Sequence, residues 1–128
     1  MRCLDSSFLI DLLHDDRAAV QKAEELRASG ERLSIPAPAL AEVLIGAHFQ
    51  GGASLRKTME VLAGLDVLDV DATVASEAGR MGAELLRRGV SVTTLDLIIA
   101  AASRIHQHIL VTRDTVFARI PGLPVESY

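Results

Sequence analysis

The sequence predicts an α/β fold of three layers (α/β/α), with helices on both faces of a central, mostly parallel sheet of about five strands. Three observations lead there. Short apolar runs of strand length alternate with longer stretches whose apolar residues recur at helical spacing. Glycine, proline or a capping residue stands at many of the junctions between them. Four acids, Asp5, Glu42, Asp96 and Asp114, interrupt or end apolar runs at points that a parallel α/β fold would bring together.

Residues 2–5 read as a short buried strand ending at Asp5, after which Ser6 and Ser7 cap a helix through Leu9, Ile10, Leu12 and Leu13. A second helix runs from Asp15-Asp16 to about Ser29, with Val20, Ala23 and Leu26 inward and Gly30 as its stop. Leu33 to Pro36 is the second strand. The pattern is then helical from about Pro38 to Gln50, broken by Gly51-Gly52, and helical again from Ser54 with Leu55, Met59 and Leu62 on one stripe. Val67 to Val70 reads as the third strand, and residues 72–88 as a helix closed by Gly89. A threonine-rich bend at Val92 to Thr94 leads into a helix from about Leu95 to Gln107 and a β-rich run from Ile109 to Thr112. A short helical turn from Val116 to Ile120 and a weak strand near Val125 follow Asp114.

With 128 residues the chain suits one domain, expected to bury roughly two thirds of the surface its unfolded form would expose. Apolar residues make up 49% but aromatics only 3%, so Ala, Val, Leu and Ile do the packing. A core this small and aliphatic is expected to leave apolar surface for a second copy, most simply a homodimer, or for a protein partner. An acid in the opening segment and the lack of any long apolar run predict a cytoplasmic protein without a membrane span. The single cysteine, Cys3, excludes an internal disulfide and reads as a buried thiol.

A net charge of −4 argues against broad affinity for nucleic acid. Eleven of the thirteen basic residues are nevertheless arginines, whose planar fork suits phosphate. Glu77 with Arg80 and Glu84 with Arg88 stand at spacings that pair on a helix surface, so these arginines read as a solvated face. His106 and His108 lack the Cys or His companions of a zinc site and read as helix-end and surface residues.

Each acid has a plain structural reading. Asp5 and Asp114 would serve as caps, and Asp96 would favour a helix start through the macrodipole. Glu42 fits such a reading less well. With Leu40, Val43, Leu44 and Ala47 marking the inner face of its helix, it falls at the edge, from which it can reach a cleft. Buried charges are costly unless paired or bound to a metal, so converging acids imply a cation.

Leu-Asp-Ser-Ser-Phe-Leu-Ile at residues 4–10, Ala-Glu-Val at 41–43, Leu-Asp-Leu-Ile-Ile-Ala-Ala at 95–101 and Leu-Val-Thr-Arg-Asp at 110–114 resemble, in order and spacing, the motifs of PIN-domain ribonucleases. Across essentially the whole chain they are similar to the VapC-type toxins of prokaryotic toxin and antitoxin pairs. The resemblance implies that Asp5, Glu42, Asp96 and Asp114 form a catalytic acidic pocket for Mg²⁺ or Mn²⁺, with Ser7 and Thr112 orienting the acids. It implies hydrolysis of RNA, in tRNA or rRNA loops, to 5′-phosphate and 3′-hydroxyl ends. It further implies a small antitoxin whose tail fills the cleft. Arg2 and Cys3 depart from the aliphatic residues usual in the opening strand. Asp11, at a position often acidic in such toxins, reads as a surface residue.

The chemistry agrees with this. Mg²⁺ takes oxygen ligands and commonly binds through a few carboxylates plus substrate phosphate. Arg113, beside Asp114, is the candidate RNA phosphate contact. Two other classes remain open. A receiver-like signalling domain also gathers acids around Mg²⁺, but it needs a lysine after its last strands and this chain has none after Lys57. A catalytically silent PIN-like binding module would not need the intact acids.

Overall fold

The computed structural model describes residues 1–128. In order, the elements are β1 (Arg2–Leu4), α1 (Ser6–Leu13), α2 (Arg17–Ser29), β2 (Leu33–Pro36), α3 (Ala37–Gln50), α4 (Gly52–Ala63), β3 (Asp66–Leu68), α5 (Ala72–Arg87), α6 (Thr94–Ile105), β4 (Ile109–Val111), a 3₁₀ turn (Thr115–Arg119) and β5 (Val125–Glu126). The sheet runs β3-β2-β1-β4-β5. Every pairing is parallel, so the sheet is wholly rather than mostly parallel.

Parallel strands flanked by helices are buried on both faces and need apolar side chains on each. Cys3, Leu4, Ile35, Leu110 and Val111 supply them, all at 2% exposure or less. Burial pushes the Cys3 thiol up to about 11, as expected of an inert packing residue. The most enclosed helix is α6, where Ile99, Ala100, Ala101 and Ala102 are fully buried; its run of small residues lets it pack on α5. Arg2 opens the central strand without disrupting it, because its guanidinium is held between Glu31 and Glu126. Lys22 reaches the same Glu126 at 2.6 Å, and the two cations pull that carboxyl below its ordinary range.

The structure revises three local readings. The third strand begins at Asp66 and ends at Leu68, short of Val70. On α4 the inward residue is Thr58, at 2% exposure, whereas Met59 is 49% exposed. His108 is buried, with Nδ1 hydrogen-bonded to the His106 carbonyl at 2.7 Å and Nε2 3.4 Å from the Ser34 hydroxyl. His106 caps the end of α6 as expected. No helix is long and apolar enough to cross a membrane.

Candidate functional site at the switch of strand order

From β1 the chain goes to β2 and β3 on one side, then returns to place β4 and β5 on the other. The strand order therefore reverses between β1 and β4. In open parallel sheets the crevice for ligands lies at the carboxyl ends of the strands beside such a reversal. Asp5 directly follows β1, and Thr112 directly follows β4. The Asp5 amide donates to the Val111 carbonyl at 3.0 Å, which extends the ladder and fixes the two segments side by side.

Asp5 is only 4% exposed. It occupies the N-cap position of α1, yet its side chain makes no capping hydrogen bond, unlike Asp16 and Asp71 at the starts of α2 and α5. Instead Oδ2 accepts from the Thr112 hydroxyl at 2.8 Å and the Ser7 hydroxyl at 3.0 Å. Those hydroxyls stand 3.3 Å from each other. Both donors go to one oxygen, so Oδ1 receives no side-chain hydrogen bond. Ser7 and Thr112 thus orient this carboxylate, as the sequence motifs imply.

Burial pushes the Asp5 carboxyl above its ordinary range, the Thr112 and Ser7 hydroxyls temper the rise, and the charge of Asp96 adds to it. Glu42 is likewise pushed up, by burial first and then by the charges of Asp5 and Asp96, with the Ser6 hydroxyl opposing. Asp66 and Glu77, each paired with an arginine, are pulled down. The structure therefore brings Asp5 from β1, Glu42 from α3 and Asp96 from α6 within range of one another's charge. None of the three has a lysine, arginine or histidine as an ion-pair partner.

Asp96 lies in the first turn of α6, whose N-cap Thr93 accepts the Asp96 amide at 3.2 Å. Asp114 is placed differently. Its carboxylate caps the 3₁₀ turn through the Val116 amide at 3.0 Å, and its own amide donates to the Thr112 hydroxyl at 3.0 Å. It is linked to Asp5 through Thr112. No three acidic, histidine or cysteine side chains stand close enough to enclose an ion by themselves. The donor set is nevertheless oxygen-only and uncompensated, which suits a hard divalent cation whose remaining ligands are water and substrate phosphate.

Arg113 is not a free loop arginine: its Nε is 3.0 Å from Asp11 Oδ2. Asp11 is correspondingly not a plain surface residue, since its side chain is 14% exposed and also accepts from the Tyr128 hydroxyl at 2.6 Å. Sequence reasoning missed Tyr128 and the role of Ser6 toward Glu42. The second had a weak signal, a second hydroxyl beside Ser7 at the start of the same helix.

A parallel α/β domain with uncompensated carboxylates where its strand order reverses has the architecture and the oxygen donors of a PIN-like domain. The chain belongs to the PIN domain family, which it matches over residues 2–123, and within that family it groups with the VapC endonucleases. It is 31% identical over 130 residues to the tRNA(fMet)-specific endonuclease VapC of Shigella flexneri, covering 98% of this chain and 96% of the relative. Among solved structures it is similar to DNA-bound VapBC from Salmonella typhimurium, with a TM-score of 0.78, 28% identity, and 99% of this chain and 98% of that one covered. The fold also matches FitAcB from Neisseria gonorrhoeae at a TM-score of 0.84 and 22% identity, covering 98% of this chain and 96% of that one.

Proposed function

We propose that the chain is a Mg²⁺- or Mn²⁺-dependent endoribonuclease and the toxin member of a pair with a small antitoxin. The observation that carries this reading is the group of Asp5, Glu42 and Asp96: the charge of Asp96 raises the proton affinity of Asp5, both raise that of Glu42, and no cationic side chain offsets them. Asp114, at the start of the 3₁₀ turn that follows β4, completes the proposed ligand set. These four carboxylates would hold a divalent cation, which would supply charge to activate a water and to offset charge on the leaving oxygen. Ser7 and Thr112 hold Oδ2 of Asp5 in one orientation, which would leave Oδ1 available as a ligand. The products expected are a 5′-phosphate and a 3′-hydroxyl.

The substrate class is a tRNA or rRNA loop, whose unstacked bases can be splayed out. Support comes from the Shigella relative, whose name specifies tRNA(fMet). With aromatics at only 3%, shape and backbone contacts dominate over stacking. The antitoxin is proposed from the VapBC likeness. A homodimer is proposed from the outer face of α3, where Ile45 is 71% and Phe49 90% exposed one helical turn apart. The receiver-like alternative gains nothing from Glu42, which sits on α3 rather than at a strand end.

The test compares wild type with Asp96→Asn on defined RNAs in Mg²⁺, Mn²⁺ or chelator. Cleavage by wild type should fall at least about a hundredfold in the variant and disappear in chelator, in line with loss of charge stabilisation at a reacting phosphate. Undiminished cleavage in chelator would refute metal dependence.

A further inference from the structure

Asp11, Arg113 and Tyr128 form a cluster, with Arg113 next in sequence to Thr112 and Asp114, that metal-assisted hydrolysis does not use. We propose that Tyr128 is a positioning residue for RNA binding: it fixes Asp11, which sets Arg113 at the crevice with its terminal nitrogens turned to a substrate phosphate. This rests on the endoribonuclease reading and adds a recognition element to it.

The geometry is that of an anchored support. The Tyr128 ring stands edge-on to Phe8, with centroids 5.0 Å apart at 79°, and Phe8 is a core residue at 1% exposure. From that base the phenol donates to Asp11 Oδ2, the same oxygen that pairs with Arg113 Nε. The hydroxyl restrains the Asp11 carboxylate, and with it the oxygen that meets the guanidinium. The pairing engages Nε, and no second carboxylate pairs with Arg113, so its terminal nitrogens remain for another acceptor. The side chain is 57% exposed against 14% for Asp11: the support is enclosed and the supported group faces solvent. Arg113 also lies between Thr112, which donates to Asp5, and Asp114. A phosphate engaged there would sit next to the acids.

An arginine gives up much rotamer freedom when it pins a phosphate, and setting Nε in advance removes part of that loss. If Tyr128 acts through Arg113, its effect must vanish when Arg113 is absent. The experiment measures binding of a fluorescent single-stranded RNA oligonucleotide by anisotropy in chelator, using the full chain as wild type, Tyr128→Phe, Arg113→Ala and the double variant. Tyr128→Phe keeps the ring contact with Phe8. It should weaken binding about threefold in the wild-type background and leave it unaltered in the Arg113→Ala background. Arg113→Ala should lower the slope of log affinity against log salt by about 0.7, the signature of one lost phosphate contact on a single strand. Asp11→Asn, measured alongside, should weaken binding as Tyr128→Phe does.

Equal losses from Tyr128→Phe in both backgrounds, no loss in either, or tighter binding would each overturn the proposal, the last by showing that Asp11 withholds the arginine. A coupled loss of binding in a protein that cleaves no RNA with Mg²⁺ or Mn²⁺ would instead sink the nuclease reading and leave the positioning role standing.

Discussion

Asp5 opposes the fold that holds it. Its folded carboxyl takes up a proton more readily than an unfolded one, so the ionised form loses stability at neutral pH, and that loss is relieved as pH falls through the raised value. Glu42 acts in the same direction. Asp5→Asn should therefore stabilise the metal-free protein at pH 7 by about 1 kcal/mol, or roughly 4 °C in Tm at this length, because the amide oxygen still accepts from Thr112 and Ser7. The advantage should shrink as pH falls through the raised value, where wild-type Asp5 itself takes up a proton. Calorimetry in chelator checks both statements; a less stable variant at pH 7 would contradict them. At this scale the approach of Asp5, Glu42 and Asp96 was legible because each breaks an apolar run. The partners of Arg113 were not, since Asp11 and Tyr128 are separated by 117 positions and only the folded sheet brings them together. His108 likewise carries no sequence mark of the Ser34 and His106 contacts that let it be buried.

Among the elements, α6 joins the proposed site to the core, since its first turn carries Asp96 and its body is buried. The hydroxyl of Thr93 satisfies one of the orphan amides at that end. Thr93→Ala should cost about 1 kcal/mol, the usual worth of such a cap, and RNA cleavage should fall more than stability accounts for, because the freed amide belongs to Asp96 itself. Chemical denaturation beside a cleavage assay at a temperature where both proteins are folded separates the two effects. An unchanged rate there would remove Thr93 from the positioning of the acid. Element order and most boundaries followed from apolar periodicity and from breaks such as Gly30, whose φ of 72° ends α2. The α4 stripe was misread for a definite reason. Thr58 occupies the buried face because its hydroxyl returns to the Ser54 carbonyl at 2.9 Å, a local bond that makes a polar residue acceptable there and hides it from a hydropathy pattern.

At the scale of the molecule, the order β3-β2-β1-β4-β5 puts the change of direction where Asp5 and Thr112 emerge, so topology and the acids point to the same end of the sheet. The alternation of strands and helices made the parallel sheet legible. Strand order was not, because pairing is decided by contacts far apart in sequence. What the sheet cannot do is cover everything apolar. The exposed face of α3 presents Phe49 and Ile45 at 90% and 71%, whereas Ala39, Val43 and Ala47 on the opposite face are at 5% or less. A helix with apolar side chains on both faces calls for a second partner beyond its own core. A homodimer of standard size buries about 800 Å² from each copy, and a bulky aromatic near the centre of such a patch dominates its energetics. Ile45→Asp with Phe49→Asp should accordingly convert a dimer into a monomer in light scattering at micromolar concentration. Circular dichroism and Tm should hold near the wild-type monomer's, since neither side chain packs in the core. A wild type that is monomeric throughout a concentration series would leave that face to a different protein and remove the homodimer from the proposal.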